Sequence, residues 1–213
     1  MVVLTPAEVH ALTTEMGAKH PSYRALILTA GFTGLRAGEL HALRRRDVSL
    51  LERKLVVARA VKTWRNGQPV YGTTKTDRVR KVVLAPELCD VLAAHMGPDG
   101  HPDDLVFTSM QGGGTIHQVA FLRNHFKPAR VAALPDHTGL RFHDLRHTFV
   151  SLLIQQGVNV KAIAEQAGHA NAAMTLNVYA HLFPGDDAHV ETALSAAWAK
   201  ATTNVVPLRQ EAA

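Results

Sequence analysis

Three short segments of the chain hold the side chains best suited to chemistry. They are residues 33–40 (TGLRAGEL), residues 143–148 (HDLRHT) and residues 168–181, in which Gly168-His169 is followed by Tyr179. Guanidinium groups present paired donors that match phosphate oxygens and never deprotonate, so Arg36 and Arg146 suit the binding of a phosphodiester. A tyrosine hydroxyl has an ordinary pKa of about 10 and needs a neighbouring base to act as a nucleophile at neutral pH. These are residue types that nucleophilic chemistry on a phosphodiester requires.

Helical spacing and turn residues predict how these side chains are positioned. His143 and Arg146 are three residues apart and share one face of a predicted helix. Gly168 is expected to end one short helix and Asn171 to begin the next, which places His169 in a tight turn. Tyr179 then lies two turns into that next helix, on a short element that could move relative to the arginines.

The whole chain is predicted to form an α+β domain that is mainly helical. A capping box at residues 5–8 (TPAE) starts the first helix. Further helices are predicted over residues 22–32, 38–45, 87–95, 117–132, 143–156, 160–167, 172–182 and 187–201. Runs rich in β-branched residues at 55–57 and 82–84, with turn signals at 66–67 and 72–74, predict a small three-stranded antiparallel sheet within residues 53–84.

The positive charge of the chain is concentrated in one segment. Between Arg44 and Lys81 there are twelve Lys/Arg and three Asp/Glu, a net charge of +9, whereas the rest of the chain carries −4. A segment this polarised favours a polyanion partner, because each neutralised phosphate releases a counterion. A solvated basic face is the alternative that charge alone leaves open. The candidate DNA contacts are Arg44, Arg45, Arg46, Arg78 and Arg80.

Composition excludes several other classes of protein. The single cysteine, Cys89, forbids an internal disulfide and a zinc site built from cysteines. No apolar run approaches the roughly 20 residues that a membrane span needs. The first residues lack the basic-then-apolar layout of a secretory signal. We therefore expect a soluble, cytoplasmic protein with no membrane partner.

Taken together and in this order, the three segments resemble the active-site boxes of the tyrosine recombinases, the phage integrase family. The likeness is collinear and extends from about residue 4 to residue 183. It implies an integrase-type catalytic domain that cleaves and rejoins DNA at specific sites through a 3′-phosphotyrosine intermediate, as in DNA integration by mobile elements. It implies no cofactor and no metal ion.

The resemblance also implies a role for each residue that matches the boxes. The catalytic set is Arg36 and Arg146 as a clamp on the scissile phosphate, His169 as a hydrogen-bond donor to it, His143 in proton transfer and Tyr179 as the nucleophile. Lys75, in a predicted turn between two strands, is the candidate general acid for the leaving 5′-hydroxyl. Glu39 matches an acidic position that supports the site without reacting. His147 and the other histidines are interpreted as structural or solvent-exposed.

Domain boundaries and partners follow from the same resemblance. Residues 1–185 are expected to form the catalytic domain, and residues 186–213 a C-terminal helix and tail. That tail, with an apolar segment at 205–208, either docks on a neighbouring protomer or packs on its own domain. The implied partners are double-stranded DNA, three further copies in a tetramer on DNA and an accessory DNA-bending protein. Integrases generally carry a separate N-terminal DNA-clamping domain, whereas we expect these residues to begin at the first helix of the catalytic domain, either as a fragment of a longer protein or as a naturally short one.

Two functions of other classes remain as alternatives. Residues 162–168 and the helix that follows them have the sequence pattern of a helix-turn-helix. With this motif the chain would be a non-catalytic DNA-binding regulator. However, residues 172–182 contain no Lys or Arg and would read DNA poorly. His143 and His147 have the i, i+4 spacing of zinc hydrolases, but aspartate replaces the glutamate base and no third ligand follows.

Type IB topoisomerases share the active-site chemistry of the tyrosine recombinases. The HDLRHT string, however, is more similar to integrases.

Overall fold

A computed structural model of the chain describes residues 1–74, 78–183 and 187–203. Residues 1–180 form one compact unit, and a second unit begins at His181. Lys75 and the apolar segment at 205–208 lie outside the described residues, so the predictions made for them stay predictions. Within the described ranges, no helix is both long enough and apolar enough to cross a membrane.

The structure is mainly helical, as predicted. The α-helices are α1 (Pro6–Lys19), α2 (Pro21–Thr33), α3 (Ala37–Leu40), α4 (Pro86–Met96), α5 (Gln118–Phe121), α6 (Lys127–Ala133), α7 (Asp144–Gln155), α8 (Val160–Ala167), α9 (Ala172–Tyr179) and α10 (Asp187–Thr203). α10 belongs to the second unit and is exposed at Val190, Leu194 and Trp198.

The capping box predicted at the start of α1 is present. The Thr5 hydroxyl accepts a hydrogen bond from the Glu8 backbone N–H at 3.2 Å, and the Glu8 carboxylate accepts one from the Thr5 N–H at 2.7 Å. The same carboxylate contacts Nε2 of His137 at 2.7 Å. This contact ties the first turn of α1 to the loop that leads into α7.

α2 is the central helix, and its end delivers the first predicted box. Leu26 and Ile27 are fully buried, and the helix packs against α1, α4 and α7. It ends at Gly34, which has a φ of +63°. A Cβ at this position would lie 2.4 Å from the Phe149 ring on α7, so only glycine fits. The close approach of α2 to α7 brings the two arginine boxes together.

The strands form a three-stranded sheet and a separate hairpin. β1 (Val48–Ser49), β2 (Lys54–Val57) and β5 (Arg80–Val83) form a three-stranded antiparallel sheet with β2 in the centre, and β1 lies before the predicted range of residues 53–84. β3 (Arg59–Arg65) and β4 (Gln68–Thr73) pair only with each other. Asn66 and Gly67 join them with φ angles of 49° and 73°, as a tight two-residue hairpin turn requires. The sequence prediction did not separate this hairpin from the sheet.

Several helix boundaries differ from the prediction, and the first two differences have a local cause. The helix predicted over 38–45 ends at Leu40, and a 3-10 turn follows at Arg45–Asp47, where the Asp47 carboxylate accepts the Arg44 N–H. The helix predicted over 117–132 contains a π-helical turn at Leu122–Phe126. Pro128 has no N–H to donate to the carbonyl of the residue four positions earlier. In the turn just before it, the backbone hydrogen bonds join residues five apart instead of four. The last predicted helix of the compact unit is α-helical only as far as Tyr179.

Candidate active site

Three arginine side chains converge on the C-terminal end of α8. Arg80 Nε, Arg146 Nη1 and Arg36 Nη2 donate to the backbone carbonyls of Gln166, Ala167 and Gly168, respectively. Carbonyls at the end of a helix lack partners within the helix, and they lie at the negative end of its dipole. The end of α8 therefore gathers cations that come from β5, from α7 and from the loop before α3.

Gly168 makes this convergence possible. Its φ is +71°, in the left-handed region that ends α8. A Cβ at this position would lie 2.8 Å from the Arg80 guanidinium. The next N–H, that of His169, donates back to the Ala164 carbonyl at 2.9 Å and closes the turn. The turn predicted around His169 is thus present and is in contact with the arginines.

Glu39 holds two of the arginines. Its side chain is almost completely buried and accepts two hydrogen bonds from Arg80, at 2.7 and 3.0 Å, and one from the Arg36 guanidinium at 3.2 Å. Burial raises the pKa of this carboxyl, but hydrogen bonding and the charges of Arg80 and Arg36 outweigh burial, so the pKa is lowered. An ionised Glu39 therefore orients both guanidiniums, as expected for a supporting residue.

Arg146 leaves one hydrogen-bond donor free in a buried position. Its Nη1 donates to the Gly34 carbonyl at 2.7 Å, whereas its Nη2 has no hydrogen-bond partner among the described residues. Burial, reinforced by the charge of Arg36, lowers the pKa of Arg146 to about 10, so it remains charged at neutral pH. A buried, charged and unsatisfied N–H beside a second guanidinium is suited to binding an anion.

His169 is fixed by a contact with α9. Its Nδ1 lies 2.7 Å from the hydroxyl of Thr175, which is fully buried. Burial and the charges of Arg146 and Arg36 lower the pKa of His169 to about 4. The imidazole is therefore neutral at pH 7 and can donate a hydrogen bond from its other nitrogen to an anion.

Tyr179 lies inside the site, with its hydroxyl against a histidine. The residue is 1% exposed, and its hydroxyl lies 2.5 Å from Nδ1 of His147. Burial raises the pKa of Tyr179 to about 12, and the charge of Arg146 only partly opposes this shift. His143 meets the His147 ring edge to face, with centroids 5.1 Å apart. Burial and the nearby charges of His147, Arg146 and Arg36 lower the pKa of His143.

The structure thus brings together five residues from the three predicted segments, with Glu39 supporting them. These are Arg36, His143, Arg146, His169 and Tyr179. The structure also places His147 in the site, against the Tyr179 hydroxyl, whereas the sequence analysis interprets this residue as structural or solvent-exposed. The sequence feature that pointed to His147 is its i, i+4 spacing from His143, which the sequence analysis interprets only as a metal-binding pattern.

The two alternative functions gain no geometric support. Among the residues that the structure describes, no group of three or more His, Cys, Asp or Glu is arranged to hold a metal ion. His143 and His147 therefore lack a third ligand in this part of the chain. The helix that would read DNA in a helix-turn-helix is α9, which instead presents Thr175 and Tyr179 to the site.

The candidate DNA contacts occupy varied environments. Arg44 pairs with Asp47 and Asp103, and the Arg45 guanidinium donates to the carbonyls of Met96 and Gly97. The Arg46 side chain is 48% exposed and also pairs with Asp103. Arg78 is exposed.

Arg80 does not lie on the protein surface, where a residue that contacts DNA is expected. Its side chain is only 10% exposed and lies between Glu39 and the end of α8. Exposed cations of the basic segment are found instead on and around the β3–β4 hairpin and at the sheet edge: Arg53, Lys62, Arg65, Arg78 and Lys81.

Comparison with known proteins identifies the family. The phage integrase family profile matches residues 2–185 of this chain. The chain belongs to the phage integrase family. Among its relatives in that family, the ICEBs1 integrase of Bacillus subtilis (strain 168) is 30% identical over 173 residues, covering 76% of this chain and 45% of the relative. A tyrosine recombinase XerC-like protein of Caldanaerobacter subterraneus subsp. tengcongensis is 30% identical over 183 residues, covering 76% and 46%.

Solved structures of integrases share the fold. The Tn1549 transposon integrase in complex with transposon right end DNA matches with a TM-score of 0.73 and 24% identity, covering 92% of this chain and 66% of that protein. The catalytic domain of bacteriophage HP1 integrase matches with a TM-score of 0.63 and 24% identity, covering 92% and 94%. The chain spans about half the length of the curated relatives that it matches.

Proposed function

We propose that this chain is the DNA-cleaving part of a site-specific recombinase, which cleaves and rejoins DNA through a 3′-phosphotyrosine intermediate. The observation that carries the proposal is the buried Nη2 of Arg146. It has no partner among the described residues and lies in a site that also contains Arg36, His169 and Tyr179. Membership of the phage integrase family supports the same activity.

The arginines bind the scissile phosphate in this proposal. A phosphodiester is an anion and repels an attacking phenolate, so its charge must be neutralised first. Arg36 and Arg146 supply two guanidiniums, and His169 adds a neutral donor. Because Glu39 and the α8 carbonyls already hold the arginines, little reorganisation is needed as charge builds on the phosphate oxygens in the transition state. Sites of this kind typically gain about a hundredfold to a thousandfold in rate from each such donor.

The cleavage step then exchanges one phosphodiester for another. The Tyr179 oxygen forms a bond to phosphorus while the bond from phosphorus to the 5′-oxygen breaks. The tyrosine proton passes to a base, and the leaving 5′-oxygen takes a proton, for which Lys75 is the candidate donor. His143 takes part in proton transfer. The phosphotyrosine conserves the bond energy, so attack by a 5′-hydroxyl rejoins the strand and restores the tyrosine.

The partners are proposed from charge and from the family. Double-stranded DNA suits the basic segment, and the Tn1549 integrase structure contains transposon DNA. Recombination between two duplexes calls for four protomers, so we propose a tetramer on DNA, with an accessory DNA-bending protein as a further partner. Residues 1–185 would form the catalytic domain. Residues 186–213, including α10, would dock on a neighbouring protomer or on their own domain.

Covalent capture on DNA tests the proposal. The substrate is a duplex from the junctions of the mobile element that encodes the chain, nicked so that cleavage cannot be reversed. Because the site's own cations supply the charge, we expect a covalent protein–DNA adduct in EDTA with wild type and none with Tyr179→Phe. Tyr71→Phe, which alters an exposed tyrosine on β4, is the matched control and should still form the adduct. DNA binding without an adduct in wild type would favour a non-catalytic DNA-binding protein.

A further inference from the structure

The tyrosine hydroxyl and the second histidine of the HDLRHT segment form a close pair. His147 lies one turn after His143 on α7, and its Nδ1 is 2.5 Å from the Tyr179 hydroxyl. The ring centroids are 5.8 Å apart and inclined at 51°. Within the described residues, this nitrogen is the hydrogen-bond partner of the hydroxyl. Because Tyr179 is 1% exposed, bulk water is a poor competitor for its proton.

We propose that His147 is the general base that removes the Tyr179 proton during strand cleavage and returns it during rejoining. This proposal rests on the proposed recombinase function and adds a catalytic residue to it. His147 contacts the reacting oxygen directly, which is the first requirement for a general base. His143 does not make this contact and instead lies beside the His147 ring.

The electrostatic environment suits the role. A general base must be unprotonated before the reaction, and burial is the main cause that lowers the pKa of His147. The charged and titratable groups around it are Asp144, Arg141, Arg146 and His143 near the start of α7, His169 in the turn after α8, Tyr179 on α9 and the amino terminus of Met1. Asp144 opposes the shift, whereas Arg141, Arg146 and the amino terminus reinforce it. The pKa of Tyr179, raised to about 12, makes a base necessary at neutral pH.

Protons and bonds balance in the proposed step. The tyrosine O–H proton moves to Nδ1 of His147 as the Tyr179 oxygen bonds to phosphorus and the 5′-oxygen departs. The histidine then carries a positive charge, which the phosphate stabilises. During rejoining, the 5′-hydroxyl oxygen bonds to phosphorus and gives its proton back to the group that supplied it during cleavage, while the bond from phosphorus to the tyrosine oxygen breaks and Nδ1 returns its proton to that oxygen. His147 must therefore have Nδ1 bare and Nε2 protonated in its resting, neutral form.

Cleavage rates on the nicked duplex test this role. His147→Gln keeps an oxygen acceptor but cannot take a proton, so we expect cleavage to slow by about a hundredfold to ten-thousandfold, with DNA binding retained. His10→Gln, which alters an exposed histidine on α1, is the matched control and should cleave as wild type does. The wild-type rate should fall as the pH drops through the lowered pKa of His147. His147→Gln should lose that dependence.

Two chemical substitutions separate a base from a residue that only positions the tyrosine. A fluorinated tyrosine at position 179 loses its proton more easily and should restore much of the rate to His147→Gln. A DNA strand with sulfur in place of the bridging 5′-oxygen needs no proton on its leaving group and should not restore it. Rescue by the sulfur strand alone would overturn the proposal, because His147 would then act on the leaving group. An unchanged rate in His147→Gln would overturn it as well.

A measurement on the free chain tests the proposal without cleavage. Nitrogen-15 NMR of the His147 ring should show a neutral imidazole with the proton on Nε2 at pH 7. A proton on Nδ1 would contradict the base role. If wild type forms no adduct on the junction DNA, the recombinase function fails, and the catalytic role fails with it. If wild type forms the adduct and His147→Gln forms it equally fast, only the base role fails.

Discussion

At the scale of single residues, the site is an excess of buried positive charge. The buried carboxylate of Glu39 pairs with Arg36 and Arg80, whereas Arg146 is held by the backbone carbonyls of Gly34 and Ala167. Removing charges from water is costly unless they are paired, so we expect this arrangement to lower the stability of the free chain. The carbonyls at the end of α8 offset part of the cost, and a bound phosphate would offset the remainder. We infer that the site is built for an anion and is less stable without one.

Replacing Arg146 with lysine tests the phosphate clamp. Arg146→Lys keeps the positive charge but loses the planar pair of donors, so we expect covalent adduct formation to slow by about a hundredfold to a thousandfold. Arg24→Lys, which alters an exposed arginine on α2, should leave the rate unchanged. Circular dichroism would verify that both variants fold. A rate for Arg146→Lys within a factor of ten of wild type would argue against the clamp.

At the scale of elements, the turn between α8 and α9 organises the site. α8 buries Ile163 and Ala167 and presents its last carbonyls to the arginines. α9 buries Thr175 and Tyr179, four residues apart on one face, and leaves Met174 and Val178 more than 40% exposed. Two side-chain contacts, from His169 and His147, attach this short helix to the rest of the site. The position of the nucleophile therefore depends on the geometry of one turn.

Alanine at Gly168 tests this dependence, and the chain offers a matched control. Gly168 and Gly157 have nearly equal φ angles of +71° and +70°, so alanine strains the backbone at both by about 1 kcal/mol. A Cβ at 168 would also meet the Arg80 guanidinium at 2.8 Å, whereas one at 157 would meet nothing within 4 Å. Urea unfolding should show a larger loss for Gly168→Ala, and only that variant should lose DNA cleavage. Equal losses would mean that the Arg80 contact is unimportant.

At the scale of the whole molecule, buried neutral histidines link folding to pH. His41 is 2% exposed, its Nε2 has no hydrogen-bond partner among the described residues, and burial lowers its pKa to about 4. The unfolded chain takes up a proton at an ordinary pKa of about 6.5, whereas the folded chain takes it up only near pH 4. Stability is therefore full above the ordinary pKa and declines as the pH falls from there toward 4.

Replacing His41 with leucine should reduce this acid sensitivity. From pH 7 to pH 5, titration of His41 alone is expected to remove about 2 kcal/mol from the free energy of unfolding. His41→Leu does not titrate, so its stability should decline less over this interval by that amount. Urea unfolding at both pH values measures the difference, and the pH 7 values separately report any loss of packing. Parallel declines in wild type and variant would show that His41 is not buried as a neutral side chain.

The sequence by itself determined the features that depend on near neighbours along the chain. The capping box at Thr5, the turn at Gly168 and the helix start at Asn171 are all present where the sequence predicted them. Such signals involve hydrogen bonds over three or four residues, which a linear pattern encodes directly. The order of the boxes was also sufficient to predict the family and its fold.

Only the tertiary structure decided which distant side chains meet. Arg80 was predicted as a DNA contact, but it lies against Glu39 and the carbonyl of Gln166, 86 residues along the chain. His147 reaches Tyr179 across 32 residues because α7 and α9 both pack beside α8. The neighbouring sequence of a basic residue on a strand, or of a histidine on a helix, does not show whether the side chain faces solvent or a partner. Packing chooses between those two environments, because a buried charge or hydroxyl must find a partner that only the folded chain provides.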